Sequence, residues 1–555
     1  MIQLLPQLLE RAAGRDPGRD AFRAPRSGLA YGELEARANR LARALRADGV
    51  RRGDRVGIFR PRDLDTAVAV YGILKAGAAF VPIDPHAPAG ALRAVVDDCG
   101  LRHLVSHRQQ LRTLRALRDA GPGTLQTVYG LAPTPDKAPD GLDGLACRAD
   151  SDVQALGGGS APDVFMMEDD LAYLMYSSGS TGRPKGIMHT HRSGLAYARL
   201  SAELYGVTAE DRVGNHSPLH FDMSTFGYFT APYAGATTLL VPEAYTKMPA
   251  SLSQLIEAER LTIWYSVPLA LIQLLTRGVL ERRDCTSLRW VLFGGEPFSR
   301  KHLHALMRRW PGARFSNVYG PAEVNQCTYF HVPPPAGDGE SPESVEAPVP
   351  IGRTWDQTEG LVIDAEDRVL DGACEGQLVI RSTTRMAGYW ARPDLDAGAF
   401  FRQNVGGGFE RVFYRTGDLV SRDSGGELTF LGRVDRQVKV RGYRLELDEI
   451  ERTVTAHPAV EEAGVVALRG ADRADGGDAD ALYGAYSCKP DQAVEPADLR
   501  AFLAARVSPY AVPDTLQPVD VFPRTSSGKI DRRRLAERAQ SQALPDGLAP
   551  ANGVS

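Results

Sequence analysis

The stretch Ser177-Ser-Gly-Ser-Thr-Gly-Arg-Pro-Lys-Gly186 combines small, hydroxylated and flexible residues with a lysine. It follows an apolar, strand-like run from Leu171 to Tyr176. It is therefore predicted to lie at a strand end, where glycines permit close backbone approach and free N–H groups meet phosphate oxygens. It is not a Walker A loop, because Pro184 precedes Lys185 and no hydroxyl residue follows the lysine. Taken alone, this composition is also typical of a plain surface connection. If the loop is functional, it wraps a polyphosphate, and ATP is the expected ligand.

Six further motifs occur along the chain in a fixed order. They are LKAGAAFVPID at 74–84, FDMS at 221–224, NVYGPAE at 317–323, YRTGDL at 414–419, GRVDRQVKVRG at 432–442 and SSGKID at 526–531. Together with the loop they make the chain resemble the adenylate-forming enzymes, specifically the stand-alone amino-acid adenylation enzymes of nonribosomal peptide assembly. The resemblance extends from about Tyr31 to Arg532, and it favours the phosphate-binding interpretation of the loop.

Composition limits the function classes. The 555 residues are 43% hydrophobic and 24% charged, which is typical of a globular protein with more than one domain. A formal net charge of -4 and a pI near 6.3 give no electrostatic footprint for nucleic acid or an anionic membrane. The six cysteines lack metal-binding spacing, and the N-terminus does not resemble a signal peptide, so a cytoplasmic protein is expected.

Residues 1–433 alternate short β-rich runs with helical patterns, which predicts an α/β domain with mainly parallel sheets flanked by helices. Examples are the strand Arg55–Phe59 and the helix Glu33–Leu45, and Leu101–Arg118 is predicted to be one amphipathic helix. Residues 434–436 are predicted to be a hinge, 437–540 a small mobile α+β domain and 541–555 a disordered tail. No carrier-domain signature follows Lys529, so we expect the enzyme to load a separate phosphopantetheinylated carrier protein.

The resemblance implies two reactions, adenylation of a carboxylate by ATP and transfer of the acyl group to a thiol. Catalysis of this kind depends on positioning and fixed positive charge. Lys529 matches the adenylation lysine. The predicted nucleotide contacts are Ser177, Ser178, Gly179, Ser180, Thr181, Gly182, Lys185, Tyr319 against adenine, and Asp418 with Arg433 at the ribose. For Asp418, a turn residue bonded to its own backbone is the alternative.

Glu323 would hold Mg²⁺ against the phosphates, because Mg²⁺ prefers hard oxygen ligands. Asp435 falls where the family has its hinge residue, with a surface turn or salt bridge as the alternative. Two positions depart from the family pattern. Ala322 replaces a threonine whose hydroxyl lies near the phosphate, so adenylation is expected to be modestly slower. Asp448 stands where glycine is common, and the sequence gives no consequence for it.

Asp222 matches the aspartate that pairs with the α-ammonium of an amino acid, since a buried carboxylate needs a cation. The alternative is a helix-capping aspartate ahead of Ser224. The remaining pocket residues, placed by the motifs, are bulky or small but uncharged, and they predict a small neutral substrate side chain. They are Met223, Phe226, Tyr265, Leu292, Gly294, Val318, Gln326 and Cys327.

The pocket resembles that of stand-alone prolyl activators in Asp222, Tyr265, Leu292 and Cys327, together with Lys529. Gln326 departs from that set. Proline is therefore the first expected substrate, but the amide at 326 could serve a polar side chain such as serine, or the walls could leave room only for alanine or glycine. A β-amino acid is disfavoured because Thr225 occupies the place of its ammonium-binding carboxylate.

Two other functions remain open from the sequence. An acyl- or aryl-CoA ligase of the same superfamily would differ mainly in lacking a residue such as Asp222. A non-catalytic adenylation-like binding module would have no need of Lys185, Glu323, Asp418 and Lys529.

Overall fold

The computed structural model describes residues 2–121, 123–131, 141–155, 160–177, 184–335, 347–434, 436–468, 479, 481–524 and 530–542. The described residues form two compact units, the first between 2 and 434 and the second between 436 and 542. The predicted hinge residue Asp435 lies outside the described residues, so its role stays a prediction.

The first unit contains a nine-stranded sheet whose inner strands are parallel and whose edges are antiparallel. In spatial order its strands are Arg353–Thr354, Thr328–Val332, Arg314–Tyr319, Trp290–Gly294, Ile263–Ser266, Arg212–Asn215, Thr237–Leu240, Asp20–Ala24 and Ser27–Ala30. Alternate residues of a strand point to opposite faces. Trp290 and Leu292 therefore pack into one hydrophobic cluster, and Val291 and Phe293 pack into another.

An eight-stranded sheet is the second layer of this unit, and it is parallel except at the end that carries the glycine-rich loop. Its strands are, in order, Gly388–Tyr389, Lys185–Thr190, Leu171–Ser177, Ala79–Pro82, Arg55–Phe59, His103–Ser106, Thr127–Tyr129 and Ala146–Arg148. The predicted strand Arg55–Phe59 has the same bounds in the structure.

A third sheet of the first unit is antiparallel, which the prediction of mainly parallel sheets did not anticipate. Its strands are Val369–Leu370, Thr358–Ile363, Cys374–Ser382, Glu410–Arg422 and Phe400–Asn404, with Leu428–Arg433 paired to Glu410–Arg422. This sheet carries Asp418 and Arg433.

Helices flank the two large sheets, as the sequence predicts for an α/β domain. The α-helices are Pro6–Arg15, Tyr31–Ala47, Leu64–Lys75, Ala89–Asp98, Leu111–Asp119, Asp150–Ala155, His191–Leu204, Ala231–Ala234, Glu243–Thr246, Pro249–Ala258, Pro268–Arg277, Arg300–Arg309 and Pro393–Ala399. The helix Tyr31–Ala47 buries Leu34, Ala38, Leu41 and Leu45, which share one face at helical spacing.

The second unit is a small α+β unit. It contains the hairpin Gln437–Val440 and Tyr443–Glu446, and a sheet of Val460–Leu468, Ala481–Cys488 and Thr515–Pro518. Its α-helices are Leu447–Thr455, Pro496–Ala504 and Arg532–Gln542. The last helix continues two residues into the segment predicted to be a disordered tail, because Leu535 and Ala539 anchor it in a hydrophobic cluster.

The prediction of one helix over Leu101–Arg118 is wrong. The chain forms the buried strand His103–Ser106, a short 3-10 turn and then the helix Leu111–Asp119. The four strand residues lie inside the parallel sheet, where both faces are covered and the helical spacing of the leucines carries no information. Within the described ranges, no helix is long and apolar enough to cross a membrane.

Candidate active site

The glycine-rich loop connects two neighbouring antiparallel strands. Ser177 ends one strand, Lys185 begins the next, and the two residues are paired in the register of the sheet. The loop thus starts at a strand end, as the sequence predicts. The predicted phosphate contacts Ser178, Gly179, Ser180, Thr181 and Gly182 lie outside the described residues, and their role stays a prediction.

Tyr319, Asp418 and Arg433 lie together although the chain brings them from two sheets. Tyr319 Oη donates a hydrogen bond to one oxygen of Asp418, and Arg433 donates to the other. Asp418 and Arg433 are also paired across their antiparallel strands. Asp418 is buried, and its backbone N–H donates to Thr416 Oγ1 at 3.0 Å. Its side chain therefore does not bond its own turn, and a carboxylate has further lone pairs for two hydroxyl donors.

Burial raises the pKa of the Tyr319 hydroxyl, and the negative charge of Asp418 adds to the shift. Tyr319 therefore stays protonated and donates to Asp418 at physiological pH. The carboxylate is thereby held in one orientation from both sides, by a neutral donor and by a guanidinium. An anionic acceptor fixed in this way suits paired hydroxyl groups such as those of a ribose.

Glu323 is fully buried at the turn that follows the strand Arg314–Tyr319. Tyr389 Oη donates to Glu323 Oε1 at 2.9 Å, and the Met386 N–H donates to the Glu323 carbonyl at 2.7 Å. Among the described residues, no group of three His, Cys, Asp or Glu side chains could by itself hold a metal ion. Glu323 fits Mg²⁺ only as one hard oxygen ligand beside phosphate oxygens and water, which is the usual arrangement in nucleotide sites.

The pocket residues predicted from the first sheet converge at the carboxyl ends of its parallel strands. Tyr265 is paired with Leu292, and Gly294 with Val318, on neighbouring strands. Four of the predicted wall residues share one buried hydrophobic cluster, namely Phe226, Tyr265, Leu292 and Val318. Met223 packs at the margin of this cluster. Ligands of open α/β sheets bind at this edge.

Two further predicted pocket residues are closely packed in the structure, and their substrate contacts stay a prediction. A Cβ at position 294 would lie 2.1 Å from the Val318 carbonyl oxygen, so close strand packing explains Gly294. Cys327 is fully buried in another hydrophobic cluster, and its Sγ lies 3.6 Å from the Tyr319 carbonyl oxygen. It therefore lies beside Tyr319, in a cluster other than that of the four wall residues.

Asp222 is the first residue of a short 3-10 helix, and Phe221 holds the capping position. Its carboxylate accepts a hydrogen bond from the Met223 N–H at 2.9 Å. Burial raises the pKa values of Tyr197 and Tyr265, and the negative charge of Asp222 contributes to both shifts. The short helix that begins at Asp222 thus reaches the wall cluster through Met223, and Phe221 rather than Asp222 holds its capping position.

Sequence reasoning missed a set of buried polar residues around this wall. Asn325, at a left-handed φ of 59°, donates from Nδ2 to Thr225 Oγ1 at 3.1 Å. Tyr205 accepts a hydrogen bond from Gln326 Nε2 at 3.1 Å, and its own hydroxyl lies 3.5 Å from Ser316 Oγ. The sequence carries one signal for this set. Alternate residues of a strand share a face, so Ser316 is expected on the same face as the predicted wall residue Val318.

Lys529 lies outside the described residues, and its catalytic role stays a prediction. Asp448, whose departure from glycine had no interpretation, forms an ion pair with Arg436. Arg436 and Arg532 both bond Glu451. The residue after the predicted hinge and the helix after the predicted catalytic lysine are thus joined within the second unit.

The chain matches the family model "AMP-binding enzyme" over residues 9–390 and "AMP-binding enzyme C-terminal domain" over 449–529. It is similar to an L-proline--[L-prolyl-carrier protein] ligase of Pseudomonas fluorescens, with 32% identity over 97% of this chain and 100% of the relative. A ligase of the same name from Streptomyces coelicolor is 33% identical over 94% of each.

Among solved structures, the Vibrio cholerae adenylation domain AlmE in complex with glycyl-adenosine-5′-phosphate has a TM-score of 0.81 and 25% identity, over 98% of both chains. These matches confirm the predicted fold class and the resemblance drawn from the motifs. The chain therefore belongs to the AMP-binding enzymes, in their amino-acid-adenylating branch.

Proposed function

We propose that this enzyme adenylates a small neutral L-α-amino acid with ATP and Mg²⁺ and transfers it to the phosphopantetheine thiol of a separate carrier protein. The observation that carries the proposal is the short helix Asp222–Ser224, which carries one carboxylate and packs Met223 against a buried, uncharged wall. Such a site pairs an ammonium group with Asp222 and leaves an uncharged side chain against Tyr265 and Leu292.

In the first reaction a carboxylate oxygen attacks the α-phosphorus of ATP, and the bond to pyrophosphate breaks. Asp418, with Arg433 and Tyr319, would orient the ribose, and Lys185 and the loop before it would contact phosphates. Mg²⁺, when bound at Glu323, would offset phosphate charge. Lys529 would bridge the carboxylate and the phosphates.

In the second reaction the sulfur of the carrier thiol attacks the acyl carbon, the bond from that carbon to the AMP phosphate oxygen breaks, and the thiol proton leaves to solvent. The two relatives named as L-proline--[L-prolyl-carrier protein] ligases support a carrier protein as the acyl acceptor. They make L-proline the first amino acid to test. Alanine, serine and glycine follow, and the glycyl-adenylate complex of AlmE supports a small substrate.

The test is amino-acid-dependent exchange of labelled pyrophosphate into ATP, measured for the twenty protein amino acids and common non-protein ones. We expect small neutral amino acids to be active and charged or large aromatic ones to be poor. Holo-carrier protein and coenzyme A are then compared as acyl acceptors. The proposal fails if no amino acid supports exchange, or if coenzyme A is acylated and the carrier is not.

A further inference from the structure

A cleft of about 600 Å³ opens at one end of the antiparallel third sheet of the first unit. Eight of its nine lining residues are polar or charged, and the exception is Val412. None of the nine is among the nucleotide or amino-acid contacts predicted from the motifs. The volume is that of a small-molecule site, and the lining suits a polar ligand.

Arg385 lines this cleft, and its side chain is half-buried. Its Cζ lies over the Phe400 ring, 4.8 Å from the ring centroid. An aromatic face attracts a cation but provides no oxygen acceptor for its N–H groups. Among the described residues, none forms an ion pair with Arg385 or accepts a hydrogen bond from its guanidinium. Because a cation removed from water normally has an anionic partner, the guanidinium calls for an anion that arrives with a ligand.

The two carboxylates that line the cleft already have arginine partners. Glu359 forms ion pairs with Arg411 and, at 3.5 Å, with Arg381. Glu410 forms an ion pair with Arg402 at 3.4 Å. Both glutamates are thus committed elsewhere, and they leave the positive charge of Arg385 for a ligand.

The charge around Arg385 favours an anion with more than one negative charge. Burial, and then the like charge of Arg402, lower the pKa of Arg385, and Asp396 opposes them more weakly. Asp396 Oδ1 accepts a hydrogen bond from the Tyr389 N–H at 2.9 Å, so this carboxylate is held by the main chain. A carboxylate ligand would supply one charge, whereas a phosphate monoester supplies up to two and matches the guanidinium fork.

The segment that carries Arg385 is held in place by hydroxyl groups. Thr358 and Ser382 are paired across two strands, and their Oγ atoms lie 2.8 Å apart. Ser382 Oγ lies 2.8 Å from Thr384 Oγ1, which donates to the Val324 carbonyl at 2.7 Å. The back of the cleft is therefore fixed before a ligand arrives, which lowers the entropic cost of binding.

We propose that this cleft is a second ligand site, which binds the phosphate monoester of a polar small molecule with the phosphate on Arg385. The hydroxyl and amide groups of the lining would contact the polar remainder of the ligand. The inference goes beyond the proposed function and does not rest on it, since the cleft and the predicted nucleotide and amino-acid contacts share no residue.

The test is binding of three probes, ribose 5-phosphate, inorganic phosphate and ribose, measured by isothermal titration calorimetry. Saturating α,β-methylene-ATP with Mg²⁺ is present throughout, so that the nucleotide site is not open to the probes. We expect ribose 5-phosphate to bind, inorganic phosphate to bind more weakly and ribose not to bind. Hydrogen exchange with mass spectrometry should show protection by ribose 5-phosphate in peptides from the strands Thr358–Ile363 and Cys374–Ser382.

Arg385→Gln should raise the Kd for ribose 5-phosphate by about 10- to 100-fold, because it removes the charged donor and keeps a polar side chain. Arg368→Gln is the matched control. Arg368 belongs to the same sheet region, its side chain is 73% exposed, and it pairs with Asp364 and Glu366 outside the cleft. The control removes the same charge and should leave the Kd unchanged.

Equal binding of ribose and ribose 5-phosphate overturns the inference, and so does a Kd for ribose 5-phosphate above about 10 mM. Protection confined to other segments, or an unchanged Kd in folded Arg385→Gln, overturns it as well. If Arg385→Gln does not fold, the salt dependence of the wild type decides, because binding through a guanidinium must weaken as ionic strength rises. These measurements score binding alone, so their outcome is independent of whether any amino acid supports pyrophosphate exchange.

Discussion

Replacing Glu451 with glutamine should loosen the second unit without affecting the first. Glu451 Oε1 accepts hydrogen bonds from Arg436 Nη2 at 2.9 Å, Arg532 Nε at 3.0 Å and the Val465 N–H at 2.7 Å. Its Oε2 accepts from Arg436 Nη1 at 3.0 Å and Arg532 Nη2 at 2.7 Å. The carboxylate therefore joins the start of the unit, the strand Val460–Leu468 and the last helix.

The size of the effect follows from burial. The Glu451 side chain is 10% exposed, whereas those of Arg436 and Arg532 are 29% and 35% exposed. Removing one partner of a buried ion pair costs about 3 to 5 kcal/mol. Because both arginines can turn to solvent, we expect a loss near the lower end, about 3 kcal/mol in the free energy of unfolding of this unit.

The effect should depend on pH. Burial disfavours the carboxylate, but the hydrogen bonds from Arg532 and Arg436 outweigh it, and the pKa of Glu451 lies below its usual range. A group whose pKa is depressed by folding stabilises the fold above its unfolded pKa, and that contribution is lost as pH falls through the folded pKa. The difference in the free energy of unfolding between wild type and Glu451→Gln should therefore have its full size at neutral pH and decrease below about pH 4.3.

Hydrogen exchange with mass spectrometry measures this effect locally. Peptides from the helices Leu447–Thr455 and Arg532–Gln542 should exchange roughly 100-fold faster in the variant. All five tryptophans, at positions 264, 290, 310, 355 and 390, lie in the first unit, so tryptophan fluorescence should report an unchanged unfolding transition there.

Asp448→Asn is the control: its side chain is 47% exposed, and breaking its pair with Arg436 should cost less than about 1 kcal/mol. Unchanged protection in Glu451→Gln would refute the network as a source of stability.

Three further predictions concern the chemistry. Asp222→Asn keeps an acceptor for the Met223 N–H but removes the charge, so amino-acid-dependent exchange should fall by more than about 100-fold while ATP binding survives; unchanged exchange kinetics would refute the ammonium pairing. Asp418→Asn should raise KM for ATP by roughly 10- to 100-fold in the same assay and leave the amino-acid preference unaltered. Lys529→Ala should depress adenylation yet still transfer a supplied aminoacyl-adenylate to the carrier, whereas Asp435→Pro, by fixing φ, should permit adenylation and block thioester formation. Single-turnover assays measure the two steps separately, and equal loss of both steps in both folded variants would contradict the predicted hinge at residues 434–436 as the means by which the mobile domain serves the two reactions in turn.

Short hydrophobic patterns in the sequence predicted individual helices and strands where the pattern of one segment is enough to identify them. The strand Arg55–Phe59 was predicted with its correct bounds, and the helix predicted over Glu33–Leu45 is Tyr31–Ala47 in the structure. The segment Leu101–Arg118 was predicted wrongly because leucine spacing cannot distinguish a helix from a strand buried on both faces. The antiparallel third sheet depends on pairings between segments far apart, which no local pattern shows.

The site residues were predicted from motifs. A motif indicates which residues line a site, but it does not show which other side chains they contact. They brought Phe226, Tyr265 and Leu292 into one prediction, and the structure joins these residues in one cluster. Gln326 was predicted from its position, but its partner Tyr205 lies 121 residues earlier in the chain. A hydrogen bond over such a distance leaves no periodic trace in sequence.

Ala322 stands where the family pattern has threonine, and a backbone hydrogen bond explains why the turn does not need the threonine side chain. His189 Nε2 donates to the Ala322 carbonyl at 2.9 Å, and the His189 ring stacks on Tyr173 at a centroid distance of 4.7 Å. Burial lowers the pKa of His189 to about 4, so at physiological pH the ring is neutral, donates from Nε2 and carries no charge towards the neighbouring Glu323. The turn is therefore held through its main chain, which an alanine provides as well as a threonine does. The absent hydroxyl should affect the rate of adenylation through one lost contact to phosphate, while the position of Glu323 is preserved.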